Sequence, residues 1–121
     1  MLQKGWNLDV QKIKYYKIYK IKCKVLKEDV FFNSHGFNHL IRKGNKSRSI
    51  SDQIRRFSLL KYCRLILEDN KTLMEMRFIK SNNKIMCFYG LIGCVNDRGI
   101  KIVIRRVNRG KLFFLSIMDF R

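Results

Sequence analysis

Four strand-like runs fill the C-terminal half of this chain: Leu73 to Lys80, Ile85 to Val95, Ile100 to Val107 and Leu112 to Met118. Their separators are Ser81-Asn82-Asn83, Asn96-Asp97-Arg98-Gly99 and Asn108-Arg109-Gly110. Asn, Asp and Gly tolerate positive φ, so each separator reads as a hairpin turn. Connections this short cannot carry a crossover, and the four strands are therefore expected to form an antiparallel meander. Gly90 and Gly93, inside the second run, predict a bulge or the close approach of another backbone.

The N-terminal half has a different period. Tyr19 to Val25 alternates apolar residues with Lys20, Lys22 and Lys24, the pattern of a strand with one face inward and a lysine row outward. Lysines on an edge strand also discourage unwanted pairing. The residues just upstream, around Tyr15 and Ile18, fit either a helix or an extended segment. Val30-Phe31-Phe32 reads as a short buried piece. Phe37, Leu40 and Ile41 have the i, i+3, i+4 spacing of a helical face, so a short helix or turn is expected from Gly36 to about Lys43. GNKSRS, which follows, reads as a loop. Ser49-Ile50-Ser51-Asp52 has the form of a capping box and starts a helix near Ile50, with Ile50, Ile54 and Phe57 as its apolar stripe. A second helical stretch carries Leu59, Tyr62, Cys63 and Ile66 and stops near Asn70. No proline, repeat or linker divides the 121 residues. The expected architecture is one α+β domain: N-terminal strand or helical elements and two short helices packed on a twisted four-stranded antiparallel sheet. Residues 1–29 form a lysine-rich extension or strand, and 30–118 form the core.

Charge narrows the function. Lys and Arg number 27 against 9 Asp and Glu, a net charge of +18. Such a surplus repels itself in the compact state and suits a polyanionic partner, nucleic acid above all. No apolar run is long enough to span a bilayer, and MLQKGWNLDVQK lacks the apolar core of a signal peptide, so a cytoplasmic protein without a membrane partner is expected. Cys23, Cys63, Cys87 and Cys94 then read as thiols. Without CxxC spacing or a Cys/His cluster they are expected to be buried and structural, not zinc ligands.

Both histidines, His35 and His39, fall in the stretch FFNSHGFNHLIRKG. At i and i+4 they share a helical face. In the last hairpin a loop of two or four residues places Arg105 on the same face as Ser116, and a loop of three places Arg106 there. Either arginine beside a hydroxyl suits a phosphate. Arg42, Lys43 and Arg48 lie in the neighbouring loop, and Arg55 and Arg56 on the following helix. Together with Lys20, Lys22 and Lys24 they are the candidate contacts to a nucleic-acid backbone. This inventory fits RNA cleavage by 2′-OH attack on the adjacent phosphorus. That step needs a base for the 2′ proton, an acid for the 5′-oxygen and cations for the phosphorane charge. It needs no metal, and the few acidic residues offer no carboxylate cluster to hold one; no cofactor is expected. Each residue also has a plainer reading: a surface histidine, a solvated helix face, or a serine bonded to backbone.

The motifs G-F-N-H-L-x-R-K-G (Gly36 to Gly44) and R-x-x-x-D-Q-I-R-R-F-x-L-L (Arg48 to Leu60) carry a family resemblance. So do the strand IKIVIRRV (Ile100 to Val107) and G-K-x-x-F-x-S-I-M (Gly110 to Met118). Together they resemble the phage-type nucleases of the barnase–EndoU–colicin–RelE superfamily. The resemblance implies N-terminal helices followed by a four-stranded antiparallel sheet. It also implies a metal-independent endoribonuclease, often a toxin, acting on tRNA, mRNA or ribosome-bound RNA and restrained by an acidic antitoxin or immunity protein. It assigns His39 as the motif histidine, Arg105 or Arg106 as the strand arginine and Ser116 as the terminal-strand hydroxyl. Arg55 and Arg56 match basic helix positions. His35 or a lysine is left as the second proton carrier. The lysine-rich N-terminal segment departs from the usual opening helix.

Two other classes compete. One is a non-catalytic nucleic-acid-binding module, either ribosomal in type or a helix-turn-helix over Ser51 to Glu68, although no glycine turn divides those helices. The other is an interaction protein whose basic face docks an acidic partner.

Overall fold

The computed structural model describes residues 6–120. Residues 1–5, part of the stretch read as lacking a signal peptide, lie outside the described residues. Helix α1 (Leu8–Ile18) starts at Asn7, whose side chain accepts from the backbone N–H groups of Asp9 and Val10. A hairpin follows, β1 (Lys20–Cys23) and β2 (Glu28–Phe31). Helix α2 (Ser34–Ile41) is capped by Asn33, and a ribbon of β3 (Arg42–Lys43) and β4 (Lys46–Ser47) comes next. Helix α3 (Ile50–Leu59) starts at Ser49, whose hydroxyl accepts from the Asp52 N–H at 3.1 Å, as the capping box requires. A 3-10 turn and the one-turn helix α4 (Cys63–Leu67) lead into β5 (Leu73–Ser81), β6 (Lys84–Val95), β7 (Arg98–Val107) and β8 (Leu112–Asp119).

The C-terminal meander forms as its turns require. Asn82, Asn83, Asn96 and Asp97 all take positive φ, making both two-residue turns mirror-image hairpin turns. The sheet is larger than four strands, however. Its order is β1-β2-β8-β7-β6-β5, six strands with one parallel junction between β2 and β8. The expected four-stranded sheet is thus corrected: the hairpin β1–β2 extends it, because Val30 and Phe31 pair with Leu112 and Phe113. The lysine-rich opening is corrected too, since residues 8–18 form an opening helix and the strand is confined to Lys20–Cys23. GNKSRS is not wholly a loop, because Lys46 and Ser47 pair back onto Lys43 and Arg42.

The core lies on one face of the sheet. Ile100, Ile102, Ile104, Phe114 and Ile117 project from β7 and β8 and meet Tyr15, Phe37, Leu40, Phe57 and Ile66 from the helices. Gly93 answers its sequence reading with a close approach: a Cβ there would stand 2.9 Å from Cγ1 of Ile66 on α4. Cys23, Cys63 and Cys87 are buried, whereas Cys94 is exposed and departs from the expected burial.

β2 covers only the first two residues of β8, so among the described residues the edge from Phe114 onward has no strand neighbour. Helices α2 and α3 cover it instead. Gly36 makes this possible, since a Cβ would lie 2.4 Å from the Phe114 carbonyl oxygen and 2.6 Å from the Tyr15 hydroxyl. That hydroxyl donates to the Asn33 carbonyl at 2.7 Å, tying α1 to the start of the histidine helix. Among the described residues no helix is long and apolar enough to cross a membrane.

Candidate functional site

Helix α2 sets His35 and His39 one turn apart on one face, with ring centroids 5.3 Å apart. Both line an open depression with Asn38, Arg42 and Gly44. Both imidazoles titrate below the usual histidine range. For His35 the causes are burial, then the charge of Arg105. For His39 they are burial, then the charges of His35, Arg48, Arg105 and Arg56. Burial and the cationic surround thus both disfavour the protonated form of each ring.

Arg105 of β7 is near enough for its charge to act on both histidines. Four residues separate β7 from β8, but Arg105 pairs with Phe113, the register of a three-residue loop that by itself would set Arg106 on the Ser116 face; an irregularity in the hairpin instead brings Arg105 and Ser116 to one face, opposite the core. A register shift at Val103/Ile104 separates them: Ser116 pairs with Val103, and Arg105 with Phe113. The Arg105 Nε is buried and has no hydrogen-bond partner, the one such side-chain nitrogen or oxygen among the described residues. A buried donor with no acceptor costs free energy and points to an acceptor not supplied by the chain.

Asp52 organises the remaining arginines. It pairs with Arg48 at 3.2 Å, Arg55 at 2.7 Å and Arg56 at 3.3 Å. Burial pushes its carboxyl up, but hydrogen bonds from Arg55, Arg48 and Arg56 and the Arg56 charge outweigh that and hold it below the usual carboxylate range. Arg48 also donates Nε to the His39 carbonyl at 2.8 Å, so it fixes the end of the histidine helix. Arg56 donates to Ser116 Oγ and to the Ile117 carbonyl. Sequence reading used Asp52 only as a capping residue. Its spacing from Arg48, Arg55 and Arg56, i±4 and i+3, was the available signal.

The expected site residues therefore divide. His35, His39 and Arg105 come together, with Arg48 and Arg56 close enough for their charges to act on His39. Ser116 is 7% exposed and engaged by Arg56, not open to a ligand. Arg106 is not brought there. It points to the core-side face and pairs with Glu28 of β2 and the Gly110 carbonyl. Arg48, 10% exposed at its side chain, is held within the protein, whereas Arg42 and Lys43 are exposed on the ribbon beside α2. Arg55 is exposed though paired with Asp52. Lys20 and Lys22 stand exposed on the far edge strand, Lys20 paired with Asp29 at 3.5 Å, and Lys24 lies exposed in the turn after it. Among the described residues no three or more His, Cys, Asp or Glu side chains group as metal ligands. Comparison with protein-family models, curated proteins and solved structures gives no match.

Proposed function

We propose that this chain is a small, basic, metal-independent endoribonuclease of the cytoplasm, toxin-like, that cleaves tRNA or mRNA by 2′-OH attack. The observation that carries the reading is a pair of imidazoles 5.3 Å apart, within range of the charge of an arginine that has an unsatisfied buried N–H.

A neutral imidazole accepts the 2′ proton as the 2′-oxygen attacks phosphorus. Arg105 donates to the non-bridging oxygens, where charge grows in the phosphorane. The 5′-oxygen leaves with a proton from the second ring in its imidazolium form, which becomes neutral imidazole as the first becomes imidazolium. The products are a 2′,3′-cyclic phosphate and a 5′-hydroxyl, and both proton transfers are accounted for without a metal-bound water. His39, which has the larger set of cationic neighbours, is assigned as base and His35 as acid. Arg56 and Arg48 hold the site's geometry and field. Ser116 positions Arg56. Arg42, Lys43 and Arg55 line the approach of the RNA backbone, and an acidic inhibitor protein fits the same cations.

The test separates cleavage from binding. In His39→Ala, fluorescence anisotropy with a labelled tRNA should give affinity within about threefold of wild type while cleavage falls about 10²–10⁴-fold. If wild type binds that RNA and cuts neither it nor ribosome-bound mRNA, the chain is a non-catalytic RNA-binding module.

A further inference from the structure

The two outer strands of the sheet are unlike. β1 has four residues and presents exposed Lys20 and Lys22, an edge that repels another strand. β5 has nine residues, all exposed, with the sequence LMEMRFIKS. Among the described residues its outer edge has no strand neighbour. Leu73 is 70% exposed, Met76 52% and Phe78 62%, and Met74 and Ile79 are exposed as well. A long apolar edge is a template for pairing.

The order of its side chains selects the partner. Two copies related by a two-fold axis perpendicular to the sheet keep their faces, so an odd residue pairs with an odd one and an even with an even. Centring on Glu75 would set two carboxylates opposite each other, and centring on Arg77 two guanidinium groups. Centring on Met76 pairs Glu75 with Arg77 twice, Met74 with Phe78 twice and Leu73 with Ile79 twice. No like charges then face each other within the strand. From this self-complementarity we infer that the chain forms a homodimer by antiparallel pairing of β5 with β5 of a second copy, the axis passing through Met76.

The surroundings agree. Met74 and Phe78 pair across β6 with Leu91 and Cys87, both buried, so the apolar row of β5 continues the core face outward. Glu75 meets Lys101 through Oε1. Arg77 rests over the Phe88 ring at 5.4 Å, on the same face as Glu75. The overall charge of +18 opposes association at long range, but salt screens exposed charges within about 8 Å at physiological ionic strength.

Sedimentation velocity across a concentration series tests the dimer and cross-linking tests its register. Wild type is expected to pass from monomer to dimer through the micromolar range. Met76→Lys is expected to be monomeric with unchanged circular dichroism. Arg77→Glu is expected to weaken dimerisation at least tenfold, and adding Glu75→Arg in the same chain to restore it. In a Cys94→Ser background, Met76→Cys is expected to oxidise to a covalent dimer. Met74→Cys is not, because its copies would lie about 14 Å apart at four-residue separation along the strands. A wild type monomeric throughout, or a dimer that Met76→Lys leaves intact, overturns the proposal. Equal cross-linking at positions 74 and 76 overturns the register.

Discussion

Arg56 lies with Nη1 3.1 Å from Ser116 Oγ, and the same nitrogen donates to the Ile117 carbonyl at 3.0 Å. One guanidinium thereby takes the place of a strand at the open edge of β8. Its side chain is 15% exposed, and burial, followed by the Arg48 charge, lowers its affinity for a proton. Removing it leaves an edge carbonyl and a hydroxyl unsatisfied and deprives Asp52 of a partner. Arg56→Ala is expected to destabilise the fold by about 2–4 kcal/mol, and Ser116→Ala by about 1 kcal/mol, in urea unfolding. Ser116→Ala should slow RNA cleavage less than tenfold, since its hydroxyl acts through Arg56.

Tyr15 fixes the histidine helix from the other side. Its hydroxyl is buried, with a pKa driven upward by burial first, and bonds the Asn33 carbonyl just before α2. Tyr15→Phe preserves the ring packing and removes that bond, leaving the Asn33 carbonyl with the Phe37 N–H at 3.2 Å as its partner. The expected loss is about 1–2 kcal/mol by urea unfolding. Gly36→Ala is expected to be worse, about 3 kcal/mol or more, because the new methyl meets the backbone of Phe114, which cannot swing aside.

The histidines set the pH dependence. The base must be neutral, which requires a pH above its pKa, and the acid must be protonated, which requires a pH below its own. Both pKa values lie below the ordinary 6.5, so the kcat/KM optimum is expected below pH 6.5. Stability runs the same way round. A histidine with a depressed folded pKa contributes nothing against unfolding once both states are neutral, but as pH falls below 6.5 the unfolded chain takes up protons first and stability drops. Replacing both with Gln should flatten that acid-side decline in thermal melting.

Local chemistry made much of the fold readable in advance. The Asn-Asn and Asn-Asp turns fixed the meander, and Ser49 with Asp52 fixed the start of α3. Helix α1 was hidden because its apolar residues do not form one stripe: Tyr15 is buried while Val10, Ile13 and Tyr16 are exposed. The parallel junction of β2 with β8 joins residues about eighty positions apart, beyond the reach of any local pattern. In the site, the i, i+4 spacing brought His35 and His39 together as expected. The choice between Arg105 and Arg106 hung on the register of one hairpin, and the irregularity at Val103/Ile104, which no local sequence pattern marks, decided it for Arg105. Arg106 is instead consumed by Glu28, a partner 78 residues distant.

Arg105 should separate chemistry from folding. Its Nε has no partner to lose among the described residues, so Arg105→Ala is expected to leave thermal stability unchanged or raise it while cutting cleavage about 10²–10³-fold. The depressed pKa of His35 should rise in this variant, readable by NMR titration of the ring protons.

Whether the chain is a ribonuclease is decided by digesting end-labelled total tRNA and ribosome-bound mRNA in EDTA, wild type against His39→Ala, on a denaturing gel with the product ends identified. Wild type is expected to make discrete cuts that survive EDTA, end in 2′,3′-cyclic phosphate and vanish in His39→Ala. RNA left intact by wild type on both substrates, or cuts that His39→Ala makes equally well, would contradict the proposed function.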